Sequence, residues 1–362
     1  MTDRAQQNIA IALSGGGIRA MAFHLGVFKF LAEMGLLERV SKLSSVSGGS
    51  LLVGLILHHH KMRWPTSSEF LADTYPSLRT TLCHTNLIPG ALLALLKPCN
   101  WRFLISRANL LAKALDSVWG IHEKVCDLPE FPEISFNGTT AENGKRFRFK
   151  RDSMGDYLLG YAKPQDFPLA EALAVSAAVP GVFGPLAIEA SKFNWERRAN
   201  WGAPKDDLQQ VPPSFKRLHL YDGGVYDNLG IEPFFDCGKN AAKEGADDCY
   251  IIVSDAGAVL KDGFRMHPFN FMRLKRVSDI QGDQTRALRV RSFWTHLKQS
   301  ANSGAYVYIA EPPIPSDKFT QSAIFYRTTL LPLAESDFDA IADRGHAVAS
   351  TNPHLASLQF NH

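Results

Sequence analysis

The stretch IALSGGGIRAMAFHLGVFKF, residues 11–30, begins as an apolar run and continues as a helical pattern, with three consecutive glycines between the two. The run Ile9–Leu13 predicts a short buried strand. From Ile18 to Met34 apolar side chains recur at helical spacing, and Gly35 ends the pattern. A strand, a glycine turn and a helix in this order predict a βα unit whose turn lets the backbone approach a ligand closely.

The same order of elements is repeated directly afterwards. Val40–Val46 predicts a second strand, and Gly48–His60 predicts a second helix. Further apolar runs predict strands at Glu133–Asn137, Arg146–Arg151, Arg217–Tyr221, Cys249–Ser254 and Ala305–Ala310. We therefore predict an α/β fold with a mostly parallel central sheet and helices on both of its faces.

No composition shift in the 362 residues marks a domain boundary. We expect a single domain over residues 1–362, interrupted by two insertions. A largely helical insertion is expected at about 52–130, and a polar loop insertion at about 184–215.

Composition excludes several classes of function. The net charge is only +3, so no nucleic-acid partner is expected. No run of 18 apolar residues predicts a membrane-spanning helix. Five widely spaced cysteines without a CxxC pair favour reduced thiols. The first residues lack a signal-peptide core, so a cytoplasmic location is expected, with peripheral membrane association or export without a cleavable signal left open.

The glycine turn does not fit the two common phosphate-binding motifs. A dinucleotide fingerprint can begin at Gly15 and Gly17, but its third glycine is replaced by Ala20 and the second strand ends in serines. A P-loop requires a Gly-Lys-Ser/Thr sequence, which does not follow. The pattern therefore argues for a different ligand.

A second glycine-bearing stretch, SVSGG at residues 45–49, has the layout of a nucleophile elbow, G-x-S-x-G, with Ser45 in place of the first glycine. Ser47 would expose its hydroxyl on a tight strand-to-helix turn, where the helix dipole favours developing negative charge. Taken by itself, Ser47 is better explained as a plain helix N-cap.

A third stretch, YDGGVYDNLG at residues 221–230, supplies a carboxylate at the end of a strand. Asp222 follows the apolar run before it and precedes Gly223 and Gly224. Sites in open α/β sheets form at the carboxyl ends of strands, so we expect Asp222 to reach the same sheet edge as Ser47. A carboxylate within hydrogen-bond reach can activate a serine.

Together these stretches resemble the patatin-like phospholipases. Gly15–Ala20 resembles the glycine-rich loop G-G-G-x-R-G of that family, with Ala20 in place of the last glycine. Ser47 matches the nucleophile and Asp222 the aspartate of D-G-G/A. SAAVPGVFGP at residues 176–185 resembles the segment S-x-A-x-P-x-x-F.

The resemblance implies a three-layer patatin-like fold and a serine acyl hydrolase that cleaves fatty-acyl esters of phospholipids or lysophospholipids through an acyl-enzyme. It implies a catalytic dyad of Ser47 and Asp222. No cofactor or metal is expected, because the sequence has no acidic loop that resembles a calcium site and no convincing zinc cluster. The oxyanion hole is expected from backbone N–H groups of Gly15, Gly16, Gly17 and Gly48, and supporting roles are expected for Arg19, Gly223 and Gly224.

Two other functions stay open. One is a catalytically inactive lipid-binding protein of the same fold. The other is an α/β-hydrolase with a Ser-His-Asp triad that would use His267, His296, His346 or His354. His219 is not favoured, because strand alternation turns it away from Asp222.

Three further segments carry expectations about ligands. Adjacent histidines on a helix point in different directions, so the run His58–His60 is not expected to bind a metal. The apolar segment 87–105 is too short and proline-broken to span a bilayer, and it is either core packing or a mobile lid that contacts a lipid surface. The basic pattern from Asn270 to Lys298 is either a solvated helix face or a site of headgroup attraction.

Overall fold

The computed structural model describes residues 7–96, 107–199, 204, 207–260, 262–264, 272–300, 302–356 and 358. The strands in this part of the chain are β1 (Ile9–Leu13), β2 (Val40–Ser45), β3 (Glu133–Thr140), β4 (Arg146–Phe149), β5 (Met154–Asp156), β6 (Gly160–Ala162), β7 (Leu186–Glu189), β8 (Trp195–Arg198), β9 (Leu208–Val211), β10 (Arg217–Asp222), β11 (Phe235–Asp236), β12 (Ala241–Ala242), β13 (Tyr250–Asp255) and β14 (Gly304–Tyr308). The helices are α1 (Gly17–Glu33), α2 (Gly48–His59), α3 (Ser67–Glu69), α4 (Tyr75–His84), α5 (Leu87–Leu95), α6 (Arg107–Val118), α7 (Leu169–Ser176), α8 (Gly224–Asp227), α9 (Met272–Gln299), α10 (Lys318–Phe325), α11 (Glu335–Ser350) and α12 (Pro353–Ala356).

The centre of the molecule is a parallel sheet with strand order β14-β13-β1-β2-β3. Beyond β3 the sheet continues through antiparallel strands β4, β5, β6, β8 and β9, while β10 pairs antiparallel with β3 and β7. The predicted α/β fold with a mostly parallel central sheet is confirmed, and its parallel part is this five-stranded core.

Side chains from both faces of the sheet are buried under helices. Along β1, Ile9, Ile11 and Leu13 join the larger apolar core, whereas Ala10 and Ala12 join a smaller core on the opposite face. The larger core includes α1, α2, α7 and α11, and the smaller core includes the C-terminal part of α9. Such alternation is the signature of a strand covered on both sides, and it produces three layers.

The close approach of α1 and α11 depends on a glycine. A Cβ built on Gly26 would lie 1.8 Å from the carbonyl oxygen of Ala342, so only glycine fits this helix contact. The packing matters for the site because α1 starts at the glycine turn after β1.

The two expected insertions differ in structure. Helices α3 to α6 lie within residues 52–130, which is largely helical where the structure describes it. The expected polar loop at 184–215 is wrong in part, since β7, β8 and β9 lie inside it. Each of these strands has four residues. Most of the side chains of β8 and β9 are exposed or half-buried, so these two strands lack an apolar pattern, whereas β7 alternates buried and exposed side chains.

The described helices include none long and apolar enough to cross a membrane. In the segment 87–105, residues 97–105 lie outside the described part of the chain. Within α5, Leu87 is buried, and a Cβ on Gly90 would lie 2.3 Å from Val118 Cγ2, so this helix packs closely on α6.

Candidate active site

Ser47 occupies a strained turn between β2 and α2. Its φ of 51° and ψ of −121° lie in a region that non-glycine residues rarely adopt, and such strain persists only where surrounding contacts fix it. Here its N–H donates to both the carbonyl oxygen and the hydroxyl of Ser176, each at 3.0 Å. The turn therefore has the backbone of a nucleophile elbow, with the serine at the N-terminus of α2.

A chain of hydroxyl groups accommodates the serine that replaces the first glycine of the elbow. The Ser45 hydroxyl lies 2.9 Å from that of Ser50, which lies 2.8 Å from that of Ser176. Ser176 in turn donates to the carbonyl oxygen of Asn137 at 2.7 Å. Ser45 is therefore buried with its hydroxyl partnered, and its Cβ does not disturb the turn.

Asp222 reaches Ser47 because two strands meet end to end. On one edge of β3, parallel β2 ends with Ser45 opposite Phe136, and antiparallel β10 ends with Asp222 opposite Gly138. The carboxyl ends of β2 and β10 therefore lie at the same edge of the sheet, as expected, although the two strands run in opposite directions.

The two glycines after Asp222 fit this junction. A Cβ on Gly223 would lie 2.4 Å from the carbonyl oxygen of Asn137, so no side chain fits at that position. The N–H of Gly224 donates to Asp222 Oδ1 at 2.6 Å. Together they hold the carboxyl group of Asp222 in place.

The carboxyl group of Asp222 is poised to accept a proton. The residue is only 5% exposed, and burial raises its pKa from 3.8 to about 7, although the Gly224 N–H and the Ser47 hydroxyl counteract this rise. Oδ2 has no partner of normal hydrogen-bond geometry among the described residues, even though the Ser47 hydroxyl is near enough to influence the pKa. A base with a pKa near neutrality is well suited to proton transfer.

The glycine turn presents unused backbone donors. Gly16 and Gly17 have φ values of 148° and 61°, which side chains disfavour. Within the described chain, the N–H groups of Gly16, Gly17 and Gly48 have no hydrogen-bond partner. A Cβ on Gly48 would lie 2.2 Å from the carbonyl oxygen of Gly17, so the starts of α1 and α2 are in direct contact.

Gly15 differs from the other glycines of the turn. It was also expected to donate to an oxyanion, but its N–H donates to the carbonyl oxygen of Asn228 at 3.1 Å. A Cβ on Gly15 would lie 2.5 Å from Asn228 Oδ1 and 3.0 Å from Ser47 Cβ. Gly15 therefore makes room beside the serine, and the carboxamide of Asn228 lies next to the site, a role that the sequence did not reveal.

Arg19 fixes the glycine turn from behind. Its Nε and Nη2 donate to the carbonyl oxygen of Ala256 at 3.2 and 2.9 Å, and its Nη1 donates to that of Tyr326 at 2.5 Å. Burial lowers the Arg19 pKa to about 10, and the charge of Asp255 partly offsets this. Its supporting role is therefore structural in this geometry, because it ties α1 to two other segments.

A buried ion pair beside the turn escaped sequence reasoning. Asp255, the last residue of β13, accepts from Arg286 Nε at 2.7 Å and from the Tyr306 hydroxyl at 2.6 Å on one oxygen, and from the Gly257 N–H at 2.7 Å on the other. Every oxygen of this carboxylate is thus satisfied, unlike those of Asp222. The available signal was a carboxylate that follows an apolar run and one serine, but its partner lies on α9, 31 residues later.

A buried histidine also lies under the glycine turn. His24 Nδ1 is 2.7 Å from the Ser254 hydroxyl, and its Nε2 is 3.0 Å from the carbonyl oxygen of Ser14. Burial lowers its pKa to about 4, so it is neutral at physiological pH. Its two ring nitrogens support the ends of β1 and β13, and neither is engaged with Ser47.

The histidines considered for a triad have other neighbours. On β10, His219 faces away from Asp222, as alternation predicts, and its Nδ1 lies 2.6 Å from Glu142 Oε1. His346 Nε2 pairs with Glu33 at 2.6 Å, and the rings of His296 and His354 pack against Phe293 and Trp294. His267 lies outside the described residues.

The three adjacent histidines do not all point in different directions, and the expectation that the run binds no metal stays a prediction. His58 turns to Glu123, with its Nδ1 2.8 Å from Oε1. His59 and His60 instead converge with Asp73, such that one ligand atom from each lies within 4.8 Å of the other two. Their position at the end of α2 allows this, because the helical segment that follows folds back over both rings.

Comparison with known proteins adds a family and a fold. A family model described as "Patatin: Patatin-like phospholipase" matches residues 11–235. No curated protein matches the chain in sequence.

Among solved structures, human GIVD cytosolic phospholipase A2 is similar, with 14% identity, a TM-score of 0.61 and coverage of 99% of this chain and 63% of that one. The same human enzyme in complex with methyl gamma-linolenyl fluorophosphonate gives 14% identity, a TM-score of 0.57 and coverage of 99% and 59%. The chain thus spans about three fifths of the length of these solved relatives, and at this identity the likeness concerns the fold.

Proposed function

Because the chain belongs to the patatin-like phospholipase family, we propose that it hydrolyses fatty-acyl esters of phospholipids or lysophospholipids with Ser47 as nucleophile and Asp222 as base. The observation that supports this most directly is the meeting of the two strand ends. Among the described residues, a strained serine and a buried carboxyl group whose Oδ2 has no hydrogen-bond partner lie beside backbone N–H groups that also have none. No cofactor is part of this proposal.

In the first half of the reaction, Asp222 takes the proton of the Ser47 hydroxyl while the serine oxygen attacks the ester carbonyl carbon. The tetrahedral intermediate collapses, and Asp222 returns the proton to the leaving alcohol oxygen. The acyl chain is then covalently bound to Ser47. In the second half, Asp222 accepts a proton from water while the water oxygen attacks the acyl carbonyl carbon. The bond between that carbon and Ser47 Oγ then breaks, Asp222 returns the proton to Ser47 Oγ, and the fatty acid leaves.

We assign stabilisation of the oxyanion to the N–H groups of Gly16, Gly17 and Gly48. Each such donor contributes about 3 kcal/mol in the transition state. These glycines stand at the starts of α1 and α2, so the positive ends of two helix dipoles converge where negative charge develops. This convergence is a property of the backbone, which explains why the site requires glycines.

An inactive lipid-binding protein and a Ser-His-Asp hydrolase are the competing functions. The first does not require a carboxyl group with a free oxygen beside a strained serine. The second requires a histidine next to Ser47, whereas His219 and His346 have carboxylate partners elsewhere.

Peripheral contact with a lipid surface completes the proposal, since the substrate is presented there. In the segment 87–105, Ile88 and Leu96 are 47% and 76% exposed. A second surface lies on α9, where Leu274 and Leu288 are 76% and 61% exposed. Basic residues accompany these leucines, and Arg286 anchors the same helix to Asp255 beside the glycine turn.

Substitution of the serine tests the proposed reaction. Ser47→Ala should reduce hydrolysis of both a soluble short-chain ester and a lysophospholipid to background, because no nucleophile remains. Ser41→Ala, at the far end of β2, is the matched control and should retain wild-type turnover. Unchanged circular dichroism shows that both variants are folded. Turnover of Ser47→Ala within tenfold of wild type would rule out the dyad.

Sedimentation with anionic vesicles tests the membrane contact separately. The double variant Leu274→Ser/Leu288→Ser should bind vesicles more weakly than wild type, while its turnover of the soluble ester stays unchanged. Leu208→Ser, which alters another leucine that is 49% exposed, is the control. Equal vesicle binding by all three proteins would remove α9 from the proposal and leave the hydrolase untouched.

A further inference from the structure

The C-terminal end of α2 brings two imidazole rings and a carboxylate to one place on the surface. His59 Nε2 lies 2.7 Å from Asp73 Oδ2, and His60 Nε2 lies 2.6 Å from the hydroxyl of Thr74. Ligand atoms of His59, His60 and Asp73 all lie within 4.8 Å of one another. Three atoms of metal-binding type therefore converge from two segments of the chain.

The backbone explains the convergence. Lys61 and Met62 have φ values of 53° and 62°, and this left-handed pair reverses the chain directly after α2. The segment Phe70–Thr74 then forms a π-helical turn, a feature that often marks functional positions. The hydroxyl of Ser77 donates to Asp73 Oδ1 at 3.2 Å, which leaves Oδ2 directed at the histidines.

We infer that His59, His60 and Asp73 form a binding site for a divalent transition-metal ion, with Zn²⁺ as the best chemical match. Imidazole nitrogen and carboxylate oxygen are ordinary Zn²⁺ ligands at roughly 2.0–2.2 Å. Tetrahedral coordination at such bond lengths separates ligand atoms by about 3.3 Å. For Zn²⁺ to bind, His59 Nε2 and Asp73 Oδ2, which are 2.7 Å apart, need only separate slightly, and the ligand nitrogen of His60 must move inward. Water would be the fourth ligand.

Of the acidic side chains on the segment that follows α2, Asp73 is the one directed at the two rings. Glu69 is already engaged by Arg63 at 2.6 Å and by the Thr66 N–H at 2.8 Å. Asp73 is thus the carboxylate that serves the two rings, and its side chain is 62% exposed, so an ion can enter from solvent.

The site is separate from the proposed hydrolysis. Ser47 precedes the first residue of α2, and the histidines lie at the last turn of this 12-residue helix, roughly 18 Å away along its axis. A bound ion would fasten the end of α2 to the segment that follows it. Metal binding can therefore be measured without any reference to turnover.

A matched set of variants tests the site with the full-length chain. Co²⁺ added to the metal-free wild-type protein should give visible absorption bands, and calorimetry should show one Zn²⁺ bound per chain at this site. His59→Gln, His60→Gln and Asp73→Asn should each weaken Zn²⁺ binding by at least about tenfold. His58→Gln is the control from the same histidine run, because its ring contacts Glu123, and it should bind as wild type does.

X-ray absorption of the Zn²⁺-loaded wild-type protein keeps the test decisive if a variant fails to fold. Two imidazole nitrogens with oxygen ligands would support the site. Sulfur ligands, an affinity loss in His58→Gln equal to that in His59→Gln, or no Co²⁺ bands at millimolar concentration would overturn it.

Discussion

Replacement of Asp222 by asparagine should make the protein more stable and less active at the same time. The structure places a carboxyl group where burial raises its pKa from 3.8 to about 7. Asparagine keeps the shape of the aspartate side chain, and its carboxamide oxygen can still accept a hydrogen bond from the Gly224 N–H. It carries no charge, however, and cannot take the proton of the Ser47 hydroxyl.

The sign of the stability effect follows from proton binding. Between pH 4 and 7 the unfolded chain has an ionised Asp222, whereas the folded protein still holds the proton. The unfolded state therefore binds fewer protons, and the free energy of unfolding of the wild type falls as pH rises through this range. The difference in pKa corresponds to about 4 kcal/mol at pH 8 as an upper value.

The free energy of unfolding of Asp222→Asn should not fall with pH in this way, because asparagine does not titrate. Its free energy of unfolding in urea should exceed that of the wild type at pH 8, and the gap should shrink as pH falls towards 4. Turnover of a short-chain ester should fall by roughly 10²–10⁴-fold, as is typical when a general base is removed. In the wild type, kcat/KM should rise with pH and level off above about 7.

A variant less stable than the wild type at pH 8 would contradict this prediction, because Asp222 would then be a stabilising, ionised group. Retained turnover would contradict it equally. Asp227→Asn is a useful comparison, since burial also raises the pKa of that carboxyl group but Arg289 lies beside it.

Three other predictions follow from the same geometry. His219→Gln should change kcat less than about twofold, because its ring contacts Glu142 on the far side of β10; a severe loss beside a mild one in Asp222→Asn would reassign the base. Arg286→Met should lower the free energy of unfolding in urea by about 3–5 kcal/mol, since it leaves the charge of Asp255 buried without its partner, and an unchanged value would show that the pair contributes little. Hydrolysis should persist in EDTA, because no acidic loop resembles a calcium site; loss in EDTA with recovery on calcium addition would contradict this.

The first βαβα unit could be predicted closely because its signals are local. The run Ile9–Leu13 is a strand with the predicted bounds, and α2 begins at the predicted Gly48. Periodicity and glycine turns act within a few residues, so they determine these elements without reference to the remainder of the chain.

The direction of β10 could not be predicted in the same way. The run Arg217–Tyr221 marks a strand, but its pairing partners β3 and β7 are chosen by contacts distant in sequence. The sequence therefore indicated that Asp222 ends a strand at the same sheet edge as Ser47, and not that this strand runs antiparallel to β3 and meets β2 end to end. The same limit hid the partner of Asp255 and the convergence of His59 with Asp73.

The edge strands were missed for a different reason. In β9 the side chains of Leu208 to Gln210 are exposed, so no alternation of apolar and polar residues marks the strand. Burial on one face is what produces such alternation, and an edge strand with little burial lacks it.

The central claim, that Ser47 is the nucleophile, is tested most directly with a fluorophosphonate probe and mass mapping of the adduct. We predict one adduct, on Ser47, formed rapidly in the wild type, slowly in Asp222→Asn and not at all in Ser47→Ala. An adduct on another residue, or undiminished labelling of Ser47→Ala, would contradict the account.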